Sequence, residues 1–589
     1  MIRRLGLFGL GWVLVLAGAL LAHLVQTSGG VRVDDVRWTG EGGERLSALL
    51  YTPPQATAAR PAPAVLISHG YINTREMQSP FAIELARRGF VVLAMDMSGH
   101  GYSGGAVGDH DGGGPAALAY LQGLPFVDRN NIGLEGHSMG GVPVIGAALS
   151  QPDGYRSMVL EGSTVPDSGQ VGAGTPVFPR NLEIVFGQFD EFAPLMWHAD
   201  KGSGIGSSAK MRALFGSAQP VAAGVMRGAI ANGSARRFVN PPITHPMEHF
   251  TDAGVGAAVD WFQLTLIGEA SPRPPADQIW FYKEIGTLVG LIGFVVVVLG
   301  AFQALLTLAP FAGLASTTDR PPLPARGPVG WWIAFVLTAA IPAASFYPLM
   351  GAGFAFFPSA LFPEWVTNQL AVWTVANAVI GGVLLLVGGR RKVRFASRWI
   401  PEVAIAVLSA AAGYVALALA DALLKVDFRF WVVGLKPLDG RHALFALAYL
   451  PLFAAAFLVT IRALHANLAR PGQSGWAYGL TAATAMSAGF AVLLVVQYGW
   501  LFATGRLLSP AEALNTIIAI QFVPVLATVG LIAAFAWRRT GGYVSGAVLC
   551  AILVTVYIVA GTATHWRPSW TIPHNAGLFP NRPATSSRP

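Results

Sequence analysis

Cysteine is almost missing from these 589 residues: Cys550 stands alone. A single thiol closes no disulfide within the chain, and a zinc site built from several cysteines is excluded with it. Charge is scarce too. Asp, Glu, Lys and Arg make up 12% of the chain, against about 25% in soluble globular proteins. Hydrophobic residues make up 53%, so a large part of the surface must face lipid. The charge present is net positive, +8, with an isoelectric point near 9.7. No nucleic-acid partner follows from that, because the Arg clusters flank apolar runs, where orientation in a membrane accounts for them. No internal repeat relates those runs to one another.

The first run follows Met1-Ile-Arg-Arg and spans about 20 residues, enough to cross about 30 Å of hydrocarbon. Ala17-Gly18-Ala19 resembles a signal-peptide cleavage site. Apolar residues continue past it, which favours an uncleaved anchor over residues 1–25. After residue 280 come eight more runs, near 285–309, 328–350, 369–388, 402–423, 442–463, 476–500, 515–537 and 543–563. Lys and Arg in short loops set orientation. Arg320, Arg326, Arg390, Arg391, Lys392, Arg394, Arg398, Arg470, Arg538 and Arg539 fall in alternate loops, which are then cytoplasmic. Loop 351–368 has neither Lys nor Arg and belongs outside. Loop 424–441 breaks the rule, with Lys425, Arg429, Lys436 and Arg441 on the outer side. This reading gives about nine spans, a cytoplasmic N-terminus, an extracytoplasmic domain over 30–270, a membrane domain over 280–565 and a disordered tail over 566–589. Asp421, in a span, reads as the partner of Lys425 four residues on. Asn377, Gln497 and Gln521 read as links between helices.

Residues 30–270 have a different texture. VDDVRWTG and RLSALLYTP are strands, followed by PAVLISHG, FVVLAMDM, IGLEGHS, YRSMVLEGS and NLEIVFGQFD. Helical stretches alternate with them: SPFAIELARRG, with Ser79 as N-cap, then GGPAALAYLQGL and GGVPVIGAALSQ. Apolar strands alternating with helices predict a parallel sheet covered on both faces. Ligands of such sheets bind at the carboxyl ends of the strands, where the polar clusters of this sequence fall.

One such cluster, Gly136-His137-Ser138-Met139-Gly140, is a G-x-S-x-G pentapeptide between a strand and a helix. That context suits a sharp turn presenting a nucleophile, Ser138. An acyl-transfer serine also needs oxyanion donors. The N–H groups of Met139 and of Tyr71, in the loop after the third strand, are the candidates. Serine further needs a base oriented by an acid, in the chain order Ser, acid, His. His245, just before a final helix capped by Thr251, is the candidate base, with His249 as the alternative. Asp190 is the candidate acid, with Glu161 as the alternative and Glu191 as a solvated neighbour. Asp96 reads as a turn-holding residue. His245-Pro246-Met247-Glu248-His249 also matches the H-x-x-E-H zinc-peptidase pattern, but Pro241, Pro242 and Pro246 predict an extended loop rather than the helix that pattern needs. No metal or organic cofactor is expected.

On His69-Gly70-Tyr71, the segment from Asp96 to Ser103, the GHSMGG turn and the order Asp then His, residues 45–268 resemble the α/β-hydrolase superfamily, most of all its esterase, lipase and dienelactone-hydrolase-like branches. The stretch 191–240 departs from compact members and suggests a lid or a docking surface. The resemblance implies a serine hydrolase cleaving carboxylic esters through an acyl-enzyme; the apolar runs on both flanks would embed it in the membrane, near lipid or envelope-linked esters. The alternatives are an acyltransferase or peptidase using the same triad, and a transporter or sensor whose outer domain only binds a ligand. The expected partners are a small-molecule or lipid ester and membrane lipid.

Overall fold

The computed structural model describes residues 2–170, 172–268, 273–315, 326–389 and 397–567, with side chains from residue 6 onward. Helix α1 (Ile2–Gln26) opens the chain. A mixed sheet of eight strands follows: β1 (Arg32–Thr39), β2 (Arg45–Thr52), β3 (Ala62–Ser68), β4 (Val91–Asp96), β5 (Val127–His137), β6 (Ser157–Glu161), β7 (Leu182–Val185) and β8 (Arg236–Val239). Their order is β1-β2-β4-β3-β5-β6-β7-β8. Strand β2 runs antiparallel to both neighbours, while β3 to β8 are mutually parallel. The carboxyl ends of six strands therefore share one edge.

The apolar strands belong in this sheet because both faces are covered. Ala64 and Leu66 of β3 enter one apolar cluster, Val65 and Ile67 the other. The first cluster is closed by α3 (Gly114–Gly123), α4 (Gly141–Ser150), α5 (Ala193–Trp197) and α6 (Ala209–Leu214). The second is closed by α2 (Ser79–Ala86) and α7 (Asp252–Phe262). Thr251 caps α7 as expected, accepting the Gly254 N–H at 3.2 Å. Ser79 does not cap α2. A 3-10 turn over Arg75–Gln78 leads straight into that helix, so Gln78 takes the cap and the Ser79 hydroxyl accepts from Lys283 Nζ at 2.9 Å. Strand β8 lies outside the sequence expectation.

A helical domain completes the chain: α8 (Trp280–Leu305), the short α9 (Ala309–Ala312), α10 (Pro328–Ala344), α11 (Phe346–Gly353), α12 (Trp365–Val387), α13 (Trp399–Leu424), α14 (Gly440–Leu468), α15 (Gly475–Thr504), α16 (Ala513–Thr540) and α17 (Val544–Gly561). Among the described residues eight helices, α1 included, are long and apolar enough to cross a membrane. The pair α10 and α11, bent by 42°, makes nine if it counts as one span. Helix α1 lies directly on α8: a Cβ on Gly18 would come 2.4 Å from the Gly290 nitrogen. Asn377 bridges to Ser345, and Gln521 accepts from Tyr557, each linking two helices. Gln497 links α15 to Tyr347 of α11 and also holds the Ser509 N–H in the loop after its own helix. The tail beyond residue 567 and the basic residues Arg320, Arg390, Arg391, Lys392 and Arg394 lie outside the described residues.

Loop 424–441 forms a hairpin, β9 (Phe428–Phe430) and β10 (Val433–Leu435), that docks on the first domain. Lys436 pairs with Glu76 at 3.0 Å, Arg429 donates to Met77 Sδ at 3.1 Å while paired with Asp427 of its own loop at 2.8 Å, and Arg441 donates to the carbonyls of Ser103 and Gly105. The expected pair of Asp421 and Lys425 does not form. Asp421 accepts from Tyr102 of the first domain at 3.1 Å, while Lys425 donates to the Ala422 carbonyl.

Candidate active site

Ser138 directly follows β5 and starts the 3-10 turn that leads into α4. Its φ is +54°, left-handed backbone that a side-chain-bearing residue rarely adopts and that costs about 1–3 kcal/mol. The turn closes only because its flanks are glycine. A Cβ on Gly136 would lie 2.4 Å from the Gly140 carbonyl oxygen, and one on Gly140 would lie 2.3 Å from that of Ser68. Ser163 Oγ–H donates to the Ser138 carbonyl at 2.7 Å and holds the turn. Ser138 and Met139 are half-buried in otherwise closed surroundings.

The loop after β3 passes directly over this serine, since a Cβ on Gly70 would stand 3.0 Å from Ser138 Cβ. His69 pins the loop: its Nδ1–H donates to the Gly70 carbonyl at 2.8 Å and its Nε2 accepts the Met97 N–H at 3.1 Å. The Tyr71 ring points away into the helical domain, where its hydroxyl meets His565 Nε2 at 3.0 Å. Asp96 holds the neighbouring turn, accepting the Tyr102 N–H at 3.0 Å.

Beyond β8, His245 lies buried in a single 3-10 turn, His245–Met247. Its Nδ1–H donates to Asp190 Oδ2 at 2.8 Å, which leaves Nε2 as its basic nitrogen. Burial pulls the imidazole pKa down, but the Asp190 carboxylate, with Glu191 behind it, outweighs burial and leaves it raised. The histidine beside the serine, His137, has its ring centre 4.7 Å from that of His245, tilted by 45°, and donates from Nε2 to the His245 carbonyl at 3.3 Å. The serine turn and the His245 turn are thus in contact.

The alternatives fall elsewhere. His249 donates from Nδ1 to Gln78 Oε1 at 2.9 Å, and its ring centre lies 3.5 Å from that of His137. Glu161 ends β6 with neither carboxyl oxygen hydrogen-bonded. Burial, then Glu135 and Glu183, push its pKa well up. Glu191 is not solvated. It is 4% exposed, and its Oε2 accepts the His245 backbone N–H at 2.8 Å. Burial and the adjacent Asp190 push its carboxyl up to about 7.

Segment 245–249 makes no helix that could put both histidines on one face. Donor atoms of His137, His245 and Glu248 do lie within 4.8 Å of one another, a group of the right type to hold a cation. Its His245 atom is the Nδ1 or Nε2 of a ring already bonded to Asp190. Glu248 accepts the Gly187 N–H at 2.8 Å, and burial, with Asp190 nearby, raises its pKa well above the carboxylate range.

Sheet order, strand directions and the glycine-flanked serine turn after β5 define an α/β-hydrolase domain, fused to a helical domain with membrane-length apolar helices. Residues 59–197 match the family described as serine aminopeptidase, S33. An uncharacterised Escherichia coli protein, YcjY, is 33% identical over 113 residues, which are 18% of this chain and 36% of that protein. Three solved structures are similar to the first domain. A hypothetical protein of Pseudomonas aeruginosa is 17% identical, with a TM-score of 0.30, over 41% of this chain and 95% of its own. A Pyrococcus furiosus esterase is 18% identical, with a TM-score of 0.28, over 40% and 94%. Est1E of Butyrivibrio proteoclasticus, solved with ferulic acid, is 19% identical, with a TM-score of 0.28, over 40% and 100%.

Proposed function

We propose that the protein is a membrane-embedded serine hydrolase of carboxylic esters, with Ser138 as nucleophile, His245 as base and Asp190 as its orienting acid. The observation that carries this reading is Ser138 at φ +54° on a glycine-flanked turn in contact with a histidine already paired to a carboxylate. Ser138 Oγ attacks the ester carbonyl as its proton passes to His245 Nε2. The N–H groups of Met139 and Tyr71 receive the oxyanion. Collapse of the tetrahedral intermediate breaks the ester C–O bond, and His245 returns the proton to the departing alcohol. Water, deprotonated by the same histidine, then releases the acid and restores Ser138.

Tethering by α1 on one flank and α8 on the other favours an ester presented at the bilayer, lipid or envelope-linked, with the domain on the outer side. An activity-based fluorophosphonate probe tests this reading in the full chain. Wild type should label, and Ser138→Ala should not. Equal labelling of both would sink the enzyme reading in favour of a ligand-binding domain. Release of free acid, compared with and without an added alcohol, separates hydrolysis from transfer.

A further inference from the structure

The turn that carries His245 is one 3-10 turn in a proline-rich stretch, with no strand or long helix of its own. Asp190 fixes the ring from within the domain. The backbone is fixed from outside it. Tyr498 on α15 donates its hydroxyl to Glu191 Oε1 at 2.7 Å, and Glu191 Oε2 accepts the His245 N–H at 2.8 Å. Trp431, at the tip of the β9–β10 hairpin, donates its indole N–H to the Pro246 carbonyl at 3.2 Å. Two separate elements of the helical domain thus grip residues 245 and 246 from two sides.

Neither contact is incidental packing. A phenylalanine at 498 would pack against Phe502 as well as tyrosine does, yet the hydroxyl meets a carboxylate that is otherwise buried. Trp431 adopts φ +51°, a costly backbone state for an aromatic residue that persists only where surrounding structure enforces it. The same domain reaches the loop over the serine through His565 and Tyr71.

We propose that Tyr498 and Trp431 are positioning residues. The helical domain sets the placement of the candidate base, and a shift of α15 or of the hairpin changes the rate of acyl transfer. The proposal rests on the Ser138, His245 and Asp190 reading above.

The test uses the full chain in lipid nanodiscs, with fluorophosphonate kinetics and backbone hydrogen exchange of the peptide containing His245. Tyr498→Phe should lower the maximal inactivation rate about tenfold, as misplacement of a reacting group does, with the probe's half-saturation concentration unchanged and exchange at the His245 peptide faster. Trp431→Phe should act in the same direction. Glu191→Ala should reproduce the loss, and Tyr498→Phe should add nothing to it. Glu191→Gln keeps an oxygen for the His245 N–H and should recover most of the rate. Wild-type kinetics and exchange in Tyr498→Phe overturn the proposal, as does an undiminished effect of Tyr498→Phe in the Glu191→Ala background. If wild type fails to label while exchange rises in Tyr498→Phe, the clamp stands and the acyl-transfer reading falls.

Discussion

Two buried groups of ionisable residues, one in the hydrolase core and one at the seam between the domains, are built in opposite ways. In the core, Glu135 and Glu161 sit near strand ends without a cation, and burial drives their pKa values well up. At the seam the charges are kept and matched. Arg75 lies among Asp35, Glu76 and Asp96, and Lys436 comes across from the helical domain to Glu76 while its ammonium sits 4.0 Å from the Tyr102 ring centre. Neutral acids tolerate an apolar core, whereas paired charges fix a register between two bodies, because any displacement strands a charge. The comparison also explains loop 424–441. Three of its basic residues dock on the first domain, so they follow the needs of that contact rather than the loop-charge rule.

The proposed triad should break first at its acid. Asp190→Asn removes the charge that holds the His245 pKa up, and activity should fall by about 10⁴-fold, as loss of the orienting acid does elsewhere. Since the base works only when unprotonated, activity is lost as pH falls through its pKa. With only Glu191 left to oppose burial, that acid limb should move to lower pH even as the plateau drops. Labelling rate against pH checks both. A limb that stays in place would mean Asp190 does not set the base.

The seam should break next. Lys436→Met leaves the buried Glu76 with Arg75, at 3.1 Å, as its remaining ion-pair partner and should destabilise the chain by less than the ~3 kcal/mol of a fully unpaired buried charge, read as thermal unfolding in detergent. Adding Glu76→Gln removes the half-paired charge and should return part of that loss. Additive losses would show that the two side chains do not act as a pair.

What was legible in the sequence was what local pattern encodes. Continuous apolar strands gave seven strands and the parallel core, and the glycines around Ser138 marked its turn. Strand β8 was not legible, because Arg-Arg-Phe-Val reads as polar surface. In the fold Arg236 is buried against the carbonyls of Ala235 and Thr175, and Arg237 pairs with Glu183 and Asp260. Glu191 was misread for a different reason. Adjacent Asp190 and Glu191 look alike in sequence, and the partner that turns the second inward, Tyr498, lies 307 residues away. The docked hairpin had left one trace, the basic loop that broke the charge rule, which first reads as an exception in topology.

The smallest effect sharpens the seam comparison most. Lys425 shares its loop with Arg429, Lys436 and Arg441, but it donates only to the Ala422 carbonyl, on its own helix. If docking explains that loop, Lys425 is the one basic residue there whose charge has no role in the contact. Its backbone is the sensitive part: φ is +57° where α13 ends, a position Asn tolerates. Lys425→Asn should therefore change stability by less than about 0.5 kcal/mol and leave labelling unchanged. If it instead destabilised the chain as much as Lys436→Met, total loop charge rather than pairing across the seam would govern this region. The docking account of Arg429, Lys436 and Arg441 would then fail with it.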